Sequence, residues 1–432
     1  LISVFPIPPE VLKSSRYQIC VKESTAEDLS RLETMFPVLV AFLSLLLRVP
    51  SCSAGDPCPT KMELGNTCTC NYVRITREFT STLPTPSLVQ MEEERNMLTP
   101  NTTVAPPTRK EKDGGIMYTE VMCNKARTLT ELEEIALTAL HRKLIDKLIV
   151  SQAPSVKKST LVNLPVRWLR NTRIRQLEIR DTLLAGDFIS QGIPLDGQAD
   201  TMLWLSAYRC NLFGALTYED LGTVNTRGLN QLPHLEGVDF SFNHLTVIRA
   251  TAFRFPPANL STILLPNNSI TVIESASFQY IAKLKCIDLS HNLLDSVARA
   301  MFAAPARYLE NINLSWNYLR VLPADFFVNM PSLKIVSLNK NFLYTMPGQP
   351  WAVVFKQLTF LDLTGNFIDC DCNLLWLLPI LSPTDANATS TPAPKPLPGQ
   401  DIRGSCSQNT QMPGHYAMEH RLTKLTRSDL MC

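Results

Sequence analysis

From residue 235 onward the apolar positions recur in a fixed frame, seen best in Leu284-x-x-Ile287-x-Leu289-x-x-Asn292-x-Leu294. The same frame holds Leu235/Val238/Phe240/Asn243/Leu245, Leu260/Ile263/Leu265/Asn268/Ile270, Leu309/Ile312/Leu314/Asn317/Leu319, Leu333/Val336/Leu338/Asn341/Leu343 and Leu358/Leu361/Leu363/Asn366/Ile368. Successive asparagines stand 25, 24, 25, 24 and 25 residues apart. Five residues past them come Ile248, Ile273, Val297, Leu322 and Met346, and ten past them Phe253, Phe278, Phe302, Phe327 and Trp351. Alternation at the centre of each unit predicts a short strand with its leucines on one side. A unit so short cannot bury that side alone, so consecutive units must stack, strand on parallel strand. The Asn then turns inward to satisfy backbone groups of the turn, and the late aromatic builds a spine on the opposite wall.

This spacing, L-x-x-L-x-L-x-x-[NC]-x-L, resembles the leucine-rich repeat family. Two weaker units precede the six: Ile174/Leu177/Ile179/Thr182/Leu184, with Thr for Asn, and Met202/Leu205/Ala207/Cys210/Leu212, with the Cys the pattern allows. Cys210 is read as a buried replacement for Asn rather than a reactive thiol. An insertion around Gly222 to Asn230 stretches the Cys210–Asn243 spacing to 33, and Ile145/Leu148/Val150 is a candidate earlier strand. The resemblance implies an α/β leucine-rich repeat solenoid, a horseshoe of about eight repeats with a concave parallel β-sheet.

An open solenoid exposes its terminal layers and needs covers. Asp369-Cys370-Asp371-Cys372 abuts the last repeat and, with Cys406 and Cys432, resembles a cysteine-rich C-terminal cap; Cys58, Cys68, Cys70 and Cys123 resemble the N-terminal one. From the resemblance alone, Cys58 is expected to pair with Cys70, Cys68 with Cys123, Cys370 with Cys406 and Cys372 with Cys432. The Cys70–Cys123 interval is too long for the family pattern, and its excess, near residues 80–115, reads as a disordered insertion. The proline-rich stretch Ser382 to Pro398 reads as another insertion. After Cys123, Thr130-x-x-Glu133 predicts a capped helix.

Charge and composition narrow the function. Lys and Arg number 41 against 39 acids, so no surface-wide nucleic-acid footprint exists. Neither a Gly-rich phosphate loop nor G-x-S-x-G nor H-E-x-x-H spacing occurs, and no cofactor is implied. Asp369 and Asp371 are read as part of the cap motif, without a general-acid partner. Val38 to Leu47 is an apolar run followed by Ser51-Cys52-Ser53-Ala54, the form of a secretory signal and too short for a bilayer. Translation is therefore expected to start at Met35, with residues 1–34 an upstream extension. No later run reaches membrane length. Secretion makes the five sequons, at Asn101, Asn259, Asn267, Asn313 and Asn387, usable for glycosylation. The expected organisation is 1–34 extension, 35–54 signal peptide, 55–128 N-terminal cap, 129–173 lead-in, 174–368 repeats and 369–432 C-terminal cap.

The non-leucine strand positions expected on the concave face include Trp204, Tyr208, Phe242, His291, Trp316 and Phe360, the aromatic side chains suited to protein recognition. Glu178, Asp239, Asp288 and Asp362 accompany them, the last two read as serving the fold. Asn313 is expected to point from the middle of the sheet, and Ser337→Asp on the open face to be nearly silent. Ten basic residues between Arg142 and Arg180 (Arg142, Lys143, Lys147, Lys157, Lys158, Arg167, Arg170, Arg173, Arg175, Arg180) form a shoulder for a sulfated glycan or a solvated face, the latter preferred. The expected function is a secreted, non-catalytic protein that binds a protein partner, in a layout resembling Slit, Toll and Nogo-receptor ectodomains, or a cell-surface one if an anchor follows Cys432. The alternative is a non-catalytic accessory subunit of a secreted enzyme, resembling that of a luciferin mono-oxygenase.

Overall fold

The computed structural model describes residues 58–59, 61–64, 66–75, 109–110, 116–124, 126, 128–151, 162–165, 167–189, 195–218, 224–381, 399–408 and 418–432. The chain divides into two units, 1–57 and 58–432, and every described residue belongs to the second. The expected signal peptide, the upstream extension and most of the 80–115 insertion lie outside the described residues. Among the described residues, no helix is long and apolar enough to cross a membrane.

Each repeat contributes one short strand to a parallel ladder. Its strands are β3 (Ile116–Cys123), β4 (Leu144–Ser151), β5 (Arg173–Arg180), β6 (Trp204–Tyr208), β9 (Gly237–Asp239), β11 (Thr262–Leu264), β13 (Cys286–Asp288), β14 (Asn311–Asn313), β15 (Ile335–Ser337), β16 (Phe360–Asp362) and β17 (Asp401–Arg403). The register follows the sequence frame: Ile263 pairs with Ile287, Ile287 with Ile312, Ile312 with Val336, and Val336 with Leu361. The candidate strand at Ile145/Leu148/Val150 is β4, aligned with Ile174, Leu177 and Ile179 of β5. These leucine-type positions are buried in one continuous core. A flanking parallel sheet, β7 (Phe213–Thr217), β8 (Val224–Asn225), β10 (His244–Ile248) and β12 (Val272–Ile273), supports the middle repeats. On the far wall the rings of Phe253, Phe278 and Phe302 follow one another at 5.9 and 6.0 Å. Phe326 inserts at 6.4 Å before Phe327 and Trp351, so the spine carries an extra ring at that repeat.

The asparagine ladder is made as the spacing predicts. Asn292 Nδ2 donates to the carbonyls of Leu265 and Leu289 at 3.0 and 2.9 Å, and its Oδ1 accepts from Ile270 N at 3.0 Å. Asn243, Asn268, Asn317, Asn341 and Asn366 repeat the arrangement. Cys210 is buried in the same place, its thiol directed at Ile179 O. Burial pushes that thiol up to about 12, so it stays protonated at neutral pH.

At the N-terminal end β1 (Cys68–Ile75) pairs antiparallel with β3, which β2 (Arg109–Lys110) also joins, and Cys58–Cys70 and Cys68–Cys123 tie this edge together. The following helix, α1 (Leu129–Leu137), begins earlier than the sequence suggests: Thr128, not Thr130, accepts from Glu131 N. At the other end β17 lies parallel on β16, and β18 (Ser405–Gln408) pairs with β19 (Met418–Arg421). Cys370–Cys406 and the buried Leu374, Leu377, Leu422 and Leu425 close the core there. Cys372 and Cys432, the expected fourth pair, carry no S–S bond here. Their thiols meet as hydrogen-bonded neighbours, both exposed, and the strand contact nearest them is the Asp371–Met431 bridge one residue away.

Candidate functional site

The concave face has columns, one residue per repeat, with different exposures. The column between the two strand leucines of each unit is Glu178, Ser206, Asp239, Leu264, Asp288, Asn313, Ser337 and Asp362, aligned through the register of the ladder. Most of it is buried by its neighbours. Asp239 accepts from Ser241 N at 2.9 Å, Asp288 from Ser290 N at 2.8 Å and Asp362 from Thr364 N at 2.9 Å, so these carboxylates fasten their own turns. Burial pushes the Asp239 and Asp288 carboxyls above their ordinary values despite those bonds. Burial also pushes Glu178 up, but the Arg180 guanidinium and Lys147 ammonium outweigh it and leave the carboxyl below its ordinary value.

Two expectations fail in this column. Asn313 is 3% exposed rather than projecting. Its Nδ2 donates to Asp288 Oδ2 at 3.0 Å, while its Oδ1 accepts from Ser315 N and Oγ at 3.1 and 2.8 Å. Ser337 is fully buried, and among the described residues its hydroxyl has no hydrogen-bond partner. Trp204, two positions before Ser206 in its strand, is also covered, at 7% exposure. Its register neighbour is Gly237, and the ring occupies the space a side chain there would fill: a Cβ on Gly237 would lie 1.9 Å from Cζ3. Trp204 is therefore removed from the exposed set. Phe360 is half-buried with the Arg403 guanidinium 5.2 Å from its ring centre.

The remaining aromatics gather on the rim, immediately before the ladder asparagines. Here Asp181, Arg209, Phe242, Asn267, His291, Trp316, Lys340 and Gly365 all have positive φ, between 50° and 68°. The turn forces this shape, because each backbone N–H must reach a carbonyl of the next repeat. His291 N donates to Ser315 O and Trp316 N to Asn339 O, both at 2.9 Å. A bulky residue in the left-handed region carries a local cost of order 1 kcal/mol or more. Phe242, His291 and Trp316 accept it and are held outward on rigid backbone, all three exposed. The His291 and Trp316 rings stack at 5.0 Å with 14° between planes, and Lys340 Nζ lies 5.7 Å from the Trp316 ring centre. Toward the N-terminus, Tyr208 packs on Phe242 at 5.0 Å, with Arg209 5.4 Å over Tyr208 and ion-paired to Asp181.

A second exposed stripe runs beside this rim, in residues the sequence reading passed over. Leu293, Tyr318, Phe342 and Phe367, each immediately after a ladder Asn, are exposed, Phe367 to 62%. Tyr318 stacks on Phe342 at 5.6 Å and 8°, and Phe342 on Phe367 at 5.8 Å and 26°. The available signal was four apolar residues in consecutive units at a position the repeat leaves free. In contrast, the basic shoulder is occupied within the molecule: Lys147 and Arg180 meet Glu178, Arg175 meets Asp146, Arg167 and Arg170 meet Asp196, and Lys143 meets Glu63. Lys157 and Lys158 lie outside the described residues. Cys286, on β13, is held protonated, its thiol pushed up to about 12 by burial ahead of Asp288. Among the described residues no group of three or more His, Cys, Asp or Glu could hold a metal ion.

Residues 258–306 and 307–368 match the family model for the leucine rich repeat. No curated protein matches the chain in sequence. Among solved structures, the chain is similar to an internalin from Listeria monocytogenes at 17% identity and a TM-score of 0.37, over 57% of this chain and 61% of that one. The chain thus spans about three fifths of that structure's length.

Proposed function

We propose that this leucine-rich repeat solenoid is a non-catalytic recognition protein of the extracellular space, binding a protein partner through the C-terminal half of its concave rim. The observation that carries the reading is the His291–Trp316–Lys340 stack: exposed, rigidly presented and arranged ring on ring beneath a cation. Large aromatic side chains that are already ordered supply contact area at low entropic cost, which makes them the usual anchors of interfaces. Three disulfides and the secretory form of residues 35–54 support an oxidising, extracellular setting. The basic shoulder is a weak candidate for sulfated glycan, since its described charges are largely matched by acids within the fold. A photo-crosslinking side chain at Trp316, compared with one at exposed Phe255 on the far side of the repeats, tests the reading on the secreted protein. Partner capture from position 316 and not from 255 is the expected result; equal capture from both contradicts it.

A further inference from the structure

The concave face carries two N-x-S sequons two repeats apart, and the fold treats them oppositely. We infer that Asn267 is an N-glycosylation site that divides the concave rim, while Asn313 stays bare; the inference rests on the extracellular reading above. Asn267 occupies the positive-φ column, at 54°, between the exposed side chains of Phe242 and His291. Its backbone N–H is fixed on Ser290 O at 3.0 Å, so the residue is anchored without its side chain. Asn268, directly after it, takes the inward ladder position and supplies the internal hydrogen bonds of that unit. The amide of Asn267 is therefore spare, and among the described residues it makes no hydrogen bond. Ser269, which completes the sequon, holds its place through its backbone N–H on Leu245 O.

Asn313 offers the opposite environment. The nitrogen that would carry the sugar already donates to Asp288, and the oxygen accepts twice from Ser315, the sequon's own serine. Neighbouring strands stand about 4.8 Å apart, and a sugar on a residue only 3% exposed between them has nowhere to go. A chain glycosylated there before folding cannot close this part of the sheet.

In the transfer itself, Asn267 Nδ2 attacks the anomeric carbon of a lipid-diphosphate-linked oligosaccharide. The new N–C bond forms as the C–O bond to the diphosphate breaks, the diphosphate leaves with the electron pair, and one Nδ2 proton passes to a base of the transferase. The attached glycan then separates the Tyr208–Phe242 pair from the His291–Trp316–Lys340 stack and leaves the latter as the open half of the rim.

The full chain, secreted from cultured animal cells and deglycosylated by amidase in ¹⁸O water, reports occupancy as labelled aspartate. Label at Asn267 and none in the tryptic peptide Tyr308–Arg320 is expected. Ser269→Ala removes the sequon while leaving Asn267 in its left-handed turn, and is expected to lose one glycan's step in electrophoretic mobility with an unchanged melting temperature. Label at Asn313, or a secreted protein bare at Asn267 whose mobility Ser269→Ala does not alter, overturns the inference alone. A chain kept in the cytosol and unlabelled at every sequon overturns the extracellular reading together with it.

Discussion

Each ladder asparagine uses both ends of one amide, giving its hydrogens to two repeats and taking a backbone N–H from a third segment. Asn292→Asp would keep the acceptor, lose both donors and bury a charge facing carbonyl oxygens. A destabilisation of about 2 kcal/mol or more is expected in denaturant titration. Ser337→Asp, expected from the sequence to be nearly silent, belongs in the same class, because residue 337 is enclosed between Asn313 and Asp362 with no partner for a carboxylate. Asp239 behaves differently with pH. Its folded pKa lies above the unfolded value, so its contribution to stability is fully present below the ordinary carboxylate range and is lost as pH rises through the raised folded value. Asp239→Asn retains an acceptor for Ser241 N without the buried charge. Thermal unfolding should show this variant more stable than the parent at pH 7, with the difference shrinking as the pH falls toward 4, about the ordinary Asp value.

At the scale of strands and columns, the Trp204–Gly237 contact is the clearest case of sequence and fold parting company. Gly237→Ala drives a methyl into the Trp204 ring and is expected to cost about 1–3 kcal/mol in unfolding free energy. A melting temperature unchanged by this substitution would mean that the ring does not rest on Gly237. The repeat frame, strand register and asparagine ladder were legible because each depends on a residue's own place within its unit. Exposure across the sheet was not, because it depends on what the adjacent strand carries: Trp204 is covered since its neighbour is glycine, and Asn313 is covered since its neighbour is an acceptor. The rim column was partly legible. Asp181, Asn267 and Gly365, residue types that tolerate the left-handed region, occupy the same place in their units, which marks the turn conformation that also governs Phe242, His291 and Trp316. The Cys372–Cys432 pairing came from resemblance only, and no periodicity bears on it.

Over the whole solenoid, the leucines and asparagines maintain a rigid frame whose consecutive repeats place unlike residues in line. The fold therefore sets where side chains stand, while the variable columns set what they recognise. Three surfaces are available on this frame: the aromatic rim, the lateral Tyr318–Phe342–Phe367 stripe and the ion-paired shoulder. The rim alone combines exposed rings, a cation and backbone held by hydrogen bonds between repeats. The deciding measurement is the equilibrium affinity of Trp316→Ala, relative to the parent protein, for the partner captured by crosslinking at position 316, with melting temperature recorded for both. The account expects binding to weaken by about 2 kcal/mol or more, roughly 30-fold, at an unchanged melting temperature. Full affinity in a variant that melts with the parent would contradict it.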